Sequence, residues 1–402
     1  MNTALYPRPS HVPASNAADI DIYALPGSET DLHAAWKQLQ TDQSPEFLWT
    51  PHNGGHWIVT LGHHIKQILL DHTRFSNAPL FNPGAKTEHF KLLPLHADQP
   101  EHAQYRNAAN RAVASKYIAK LRDPAKQIVG EIIDSVQVRG RCEFVSDIAS
   151  VFPIKLFLAY AGLPATDFER LVHLSAYLSN TDQGLQGDAL VTLVDDYLQP
   201  IVTQRMHTPG NDPLSRIFQE PVFDKPMTVD IAQAIARDIL LAGVDTVSSQ
   251  IGFIAYHLAR SQHHRAILLE KPELVPVAVD DLLRRYNAVA LSRTATEDVR
   301  FGDITIKKGD ALCLPLALYN LDDKLFKDPM NAVFERRDEH IAFGAGIHRC
   351  PGVSLARMQM TIFTNAWLER IPEFSIDTSR PIRFTSGVIG SLRELHLTWP
   401  IQ

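Results

Sequence analysis

Cysteine is scarce in this chain: Cys142, Cys313 and Cys350 are the only three in 402 residues, and they lie far apart. No two form a C-x-x-C pair, which argues against zinc and against a disulfide framework. Long apolar runs are also missing. None reaches the roughly 18 residues that suggest a membrane span. The N-terminus, Met-Asn-Thr-Ala-Leu-Tyr-Pro-Arg-Pro, has no apolar core of the signal-peptide kind. Basic charge is not in excess either. With 39 Lys+Arg against 45 Asp+Glu the net charge is −6, which gives no reason to expect a nucleic-acid partner. No Ser/Gly-rich linker, charge block, low-complexity segment or internal repeat divides the sequence. One domain covering 1–402 is therefore expected, although the length would admit more. No G-x-G-x-x-G follows a strand pattern, so no nicotinamide or flavin domain is read. The natural reading is a soluble protein of a reducing bacterial cytoplasm, and a monomer is expected.

What is present centres on one stretch, Phe343-Gly344-Ala345-Gly346-Ile347-His348-Arg349-Cys350-Pro351-Gly352. Gly344 and Gly346 admit backbone angles closed to other residues, and Gly352 is read the same way behind the cysteine. A helical pattern follows, which places Cys350 at a helix entrance where unpaired N–H groups favour a thiolate. A lone cysteine of this kind is either a buried, inert packing residue or a metal ligand held from one side.

The rest of the chain reads as mainly helical with small sheets. Residues 1–28 are polar and proline-rich and read as an extended arm. Helix patterns cover 30–39, 63–71 and 99–116, and a hairpin covers 47–60 with Asn53-Gly54-Gly55 at its turn. The segment 76–95 reads as a loop. From 117 to 217 the pattern is helical, with breaks expected at Pro124, Pro153, Pro164 and Pro200. Thr228 is a candidate N-cap for one long helix reaching Arg260. Its centre, Ala242-Gly243-Val244-Asp245-Thr246, is either a tolerated kink or a functional site, since glycine and a back-bonding threonine both weaken a helix. Residues 298–316 alternate as a small sheet, 352–371 are helical, and 382–399 read as a second hairpin bending at Gly387 and Gly390. Two charged pairs stand out at helical spacing. His102 and Arg106 share a face, as do Asp281 and Arg284, and either could be a solvated surface pair.

The run F-G-x-G-x-H-x-C-x-G resembles the haem-thiolate loop of cytochrome P450 monooxygenases, and Ala-Gly-Val-Asp-Thr resembles the oxygen-activation motif of the same family. The resemblance covers almost the whole chain and is closest to bacterial camphor-hydroxylase-like members. It implies the P450 fold, with haem b between the long central helix and the helix after the cysteine. It implies Cys350 as the axial ligand, in the loop that Phe343 and Gly344 open and Gly352 closes. Arg106, Arg293, His348 and His102 would neutralise the propionates. O2 would bind in the groove beside Gly243, with Thr246 and Asp245 delivering protons. Asp281 stands where the family's E-x-x-R motif has glutamate, and Arg336 or Arg337 would complete that buried network.

The implied reaction is hydroxylation of a small hydrophobic substrate, a terpenoid or norisoprenoid. Two electrons would come from a [2Fe–2S] ferredoxin served by a separate reductase. Phe81, Phe90, Leu241, Val289 and Ile389 fall at pocket-lining positions of the family. Asp238, four residues before Ala242, either enters that pocket or turns aside to a basic neighbour. A peroxide-using haem-thiolate enzyme and a haem-based ligand-binding protein are the alternatives, and both would have little use for Asp245 and Thr246. A zinc protein on His348 and Cys350 lacks two further nearby ligands.

Overall fold

The computed structural model describes residues 5–77, 91–179 and 188–401. Its axis is the helix Val229–Arg260. The hydroxyl of Thr228 caps it, accepting from the Ile231 N–H at 3.4 Å. Residues 249–258 of this helix are buried without interruption, so it is enclosed on all sides there. It is long and apolar enough to cross a membrane by length and composition, but 61% of the relevant window is buried inside the protein. Leucine, isoleucine and alanine spread among Arg237, Asp238 and Asp245 raise its mean hydropathy without an unbroken apolar run. Helices Val151–Ala161, Asp188–His207 and Val353–Arg370 pack against it.

Two prolines do not break helices as expected. Pro124 lies inside the continuous helix Ser115–Gln137, and Pro200 inside Asp188–His207. A proline removes one helical hydrogen bond. In Ser115–Gln137 a buried row from Ile118 through Leu121, Ala125, Val129 and Ile133 to Val136 lies on the flanking turns and outweighs that loss. Pro153 sits in the first turn of Val151–Ala161, where its missing N–H costs nothing, and Pro164 does separate two helical pieces. The helix expected over 99–116 ends earlier, at Ala112, and the next begins at Ser115. The N-terminal segment has one short helical turn, Ala14–Asn16, and otherwise no regular structure. It is no free arm: Val12, Ile22 and Leu25 are fully buried in the core.

The hairpin is present, with Phe47–Thr50 antiparallel to His56–Val59 and Asn53, Gly54 and Gly55 all at positive φ in the turn. It forms one edge of a five-stranded sheet ordered Phe47–Thr50, His56–Val59, Ala311–Pro315, Ala290–Ala295, Phe75–Ser76. This sheet matters to the site because Ser76 pairs with Thr294, which brings Asn77 beside Arg293. The C-terminal stretch is not one hairpin. Arg383–Thr385 pairs with Ser391–Glu394, whereas His396–Thr398 joins a separate sheet with Arg141–Glu143 and Ser375–Ile376.

The acid–arginine pair is buried. Arg284 is 0% and Asp281 4% exposed. Arg284 donates to Asp281 at 2.6 Å and to the carbonyls of Asn320, Pro329 and Asn331 at 2.7–2.9 Å. Arg336 is the third member, 3.2 Å from Asp281, while Arg337 donates to the carbonyls of Phe334 and Arg336.

Candidate active site

The cysteine loop is held by backbone geometry. Gly344 and Gly346 have φ of +71° and +73°. A Cβ at Gly346 would lie 2.4 Å from the Leu69 carbonyl oxygen, so this glycine is required twice, by its angle and by the close approach of helix Gly62–Leu70. The Cys350 N–H donates to the Phe343 carbonyl at 2.9 Å and closes the loop. Gly352 departs from the expectation. Its φ is −81°, and a Cβ there would make an ordinary 3.6 Å contact with Cys350 Sγ, so nothing steric demands glycine. Its contribution is electronic. Burial pushes the Cys350 thiol up, and the Gly352 N–H, Arg106 and Arg349 act against that rise.

Around this loop stand two arginines and two histidines. Arg293 is 3% exposed and donates to Asn77 Oδ1 at 2.6 Å and to the Ser292 carbonyl at 2.7 Å. Burial lowers its pKa to about 10. His102 and His348 face each other with ring centroids 4.3 Å apart. Burial holds both well below the usual histidine range, His102 at about 4, with neighbouring arginines adding to the effect. The Nε2 atoms of both are buried without a hydrogen-bond partner. Arg106 donates to Asn110 Oδ1 at 3.0 Å and to the Arg349 carbonyl. Among the described residues no carboxylate forms an ion pair with any of these four. Two guanidinium groups, with two neutral imidazoles whose Nε2 atoms lack partners, fit a ligand that brings its own anions, as the two haem propionates would.

The second group of sequence-predicted residues lies in the middle of the central helix. Thr246 Oγ1 donates to the Ala242 carbonyl at 2.8 Å and Ser249 Oγ to the Asp245 carbonyl at 2.9 Å. The helix runs through this stretch without a break, so the expected loosening does not extend to a kink. Space lies beside it instead. Ala242 is exposed in mid-helix, and a Cβ on Gly243 would meet nothing within 4 Å. Asp238 is half-buried, and the surrounding protein raises its pKa to about 7 while Arg106 pulls the other way. Its charge acts in turn on Cys350. Asp238 is thus within electrostatic reach of the cysteine loop, and no hydrogen bond ties it aside among the described residues. Its neighbour Arg237 is engaged elsewhere, donating to Asp195 at 2.8 Å.

Comparison with known proteins decides the family. The cytochrome P450 family model matches residues 186–386. The chain is 30% identical to a probable cytochrome P450 127A1 of Sinorhizobium fredii, over 98% of this chain and 97% of that one. Its fold superposes on the crystal structures of cytochrome P450 CYP101C1 and CYP101J2 with TM-scores of 0.91, at 38% and 32% identity, covering 98% of this chain and all of each of theirs. The chain belongs to the cytochrome P450 family. It is a monooxygenase of the bacterial type and binds haem b.

Within this P450 the other sequence-predicted residues fare unevenly. Leu241 lies half-buried on the central helix beside Ala242. Val289 and Ile389 are brought side by side by an isolated antiparallel bridge, both half-buried. Phe81 and Phe90 lie outside the described residues. A cavity of about 740 Å³ opens farther along the central helix, between Asp98, Glu101 and Tyr105 on one side and Asp230, Gln233 and Arg237 on the other. No residue of the cysteine loop lines it, so it is distinct from the space beside Gly243. Asn77 was not foreseen. It orients Arg293 and comes within 3.5 Å of His348 Nδ1, but no motif marks it, because an amide after a two-residue strand has no sequence pattern.

Proposed function

We propose that this P450 hydroxylates a compact, hydrophobic substrate of terpenoid or norisoprenoid size, with O2 and two electrons from a [2Fe–2S] ferredoxin and its separate reductase. Cys350 would hold the haem iron through its thiolate. Arg106, Arg293, His102 and His348 hold the propionates, and Phe343, Gly344, Gly243 and Gly352 shape the cradle. The observation that carries this assignment is the pair of arginines beside Cys350, together with two buried histidine nitrogens that lack partners. Bound there, thiolate-ligated haem supplies the activation of O2, because the thiolate favours O–O cleavage.

The remaining work falls to the chain. Asp245 and Thr246 move protons: the threonine hydroxyl, parked on the Ala242 carbonyl, can rotate toward the open side of Gly243, and Asp245 restores its proton. Leu241, Val289 and Ile389, with Phe81 and Phe90, exclude water from the substrate. Asp238 is the pocket's polar group. Exposed Arg349, next to Arg106, offers positive charge to an acidic ferredoxin. The protein acts as a cytoplasmic, single-domain monomer.

Two spectra test the reading. The reduced carbon monoxide complex of the haem-loaded protein should show the band of thiolate ligation, and terpenoids titrated into the oxidised protein should shift its Soret band. A normal thiolate band in Cys350→Ala would overturn the ligand. A panel of terpenoids and norisoprenoids without any Soret shift would overturn the substrate class.

A further inference from the structure

A small polar chamber lies on another flank of the central helix. Its volume is about 50 Å³, and it is lined by Asp245, Ser248 and Ser249 of that helix, by Ser150, and by Ser391 and Arg393 of the strand Ser391–Glu394. Asp245, Ser248, Ser249 and Gly252 fall on one face, while Thr246 lies about 100° round the helix from Asp245. Asp245 thus lines the chamber, and Thr246 is its neighbour in sequence on the next face of the helix. Hydroxyls crowd the chamber wall. Ser248 Oγ lies 3.5 Å from Ser150 Oγ, and Ser391 Oγ lies 2.9 Å from Thr385 Oγ1. A buried water needs about 10–15 Å³ and two to four polar partners, so the chamber has room and partners for several. Ser391 and Arg393 are half-buried, which puts its outer wall at the protein surface.

We propose that this chamber is a water-filled proton inlet serving Asp245 from the side of the C-terminal strands, separate from the substrate pocket. The proposal rests on the reading of Asp245 and Thr246 as proton carriers. Each proton that leaves the Asp245 carboxyl toward Thr246 is replaced by one from a chamber water, which recovers its own from bulk solvent. Only O–H bonds form and break, and no electron moves. Ser150, Ser248 and Ser391 are positioning residues that hold the water chain.

The test uses the haem-loaded full chain. A crystal structure at atomic resolution should show ordered water hydrogen-bonded to the Asp245 carboxylate and the Ser391 hydroxyl. Ser391→Val and Ser248→Val put apolar bulk in the chamber. Both should keep haem content, the thiolate band and the substrate-induced Soret shift, while product per electron falls severalfold and the solvent deuterium isotope effect rises. Ser391→Thr keeps a hydroxyl and should stay close to the parent. A dry chamber overturns the proposal. So does parental coupling in both valine variants while Thr246→Ala uncouples, a pattern that leaves the acid–alcohol reading standing. Unchanged coupling in Thr246→Ala and Asp245→Asn would instead remove that reading, and the inlet with it.

Discussion

Two buried arginine clusters in this P450 are made of the same chemistry and end differently. Around Asp281 every guanidinium has a carboxylate beside it, although the Arg336 Nε pairs with it as an ion and makes no hydrogen bond. Arg284 has a carboxylate and three carbonyls, Arg336 shares that carboxylate, and the Val333 N–H donates to it at 2.6 Å. In that sense this cluster is closed, whereas the one around Cys350 is open. Arg293 has only an amide and a carbonyl, and His102 and His348 each bury a nitrogen with no partner. Burying charge or unpaired polar atoms costs several kcal/mol in general, so an open cluster survives where something else in the functional protein completes it. What separates the two clusters is the carboxylate: Asp281 supplies one inside the protein, and among the described residues none pairs with Arg106 or Arg293.

The largest effect is expected from cutting the open cluster at its centre. Cys350→Ala should lose the thiolate band and all hydroxylation, measured by the carbon monoxide difference spectrum and product assay, while the fold persists by circular dichroism. Next comes the closed cluster. Asp281→Ala leaves Arg284 and Arg336 buried without their acid, and should cost about 3–5 kcal/mol of stability and lower haem retention. Denaturant unfolding with an unchanged midpoint would show that the carbonyls alone satisfy Arg284. Asp281→Glu sharpens the comparison. It restores the acid found elsewhere in the family, but it adds a methylene where Arg284 already sits at 2.6 Å, so it should destabilise rather than help.

The two clusters also differ in how legible they were. The cysteine loop was readable because glycine positions, a histidine and a cysteine in fixed register are a local signal. The Asp281–Arg284 pair was readable as spacing, but its burial followed only from the family resemblance, since its partners are carbonyls some 36 to 47 positions away. Asn77 was not readable at all for the same reason. Pro124 and Pro200 misled because local backbone cost was weighed without the buried rows that outweigh it. The C-terminal strands were seen as one hairpin because alternation does not say which sheet a strand joins.

A smaller effect is expected at the oxygen side. Thr246→Ala removes the hydroxyl that now donates to Ala242 and leaves the helix backbone intact. Haem content and substrate binding should be unchanged, while product per electron falls severalfold and peroxide or water takes the difference. Unchanged coupling would mean that water alone delivers the protons.

The smallest and most specific effect concerns Asp238, a half-buried acid that belongs to neither cluster. Its pKa is raised to about 7, with burial as the main cause. The folded state therefore favours the protonated acid. Its contribution to stability is full below the ordinary carboxylate range and is lost as pH rises through about 7. The same titration sets what a substrate meets. Below that value Asp238 can donate its O–H to a ketone, and above it the carboxylate only accepts, which suits an alcohol. Ketone affinity should fall with rising pH, by up to about tenfold per pH unit beyond the pKa, while terpene alcohols hold or gain. Camphor should bind weakly near neutrality. Asp238→Asn should flatten both profiles, Asp238→Leu should improve ketone binding only above about pH 7, and Phe90→Tyr should improve it throughout. The measurement is the Soret-shift titration of camphor, ionone-like ketones and terpene alcohols across that range. Tight camphor binding by the parent, insensitive to pH and to either substitution, would remove Asp238 from the substrate pocket.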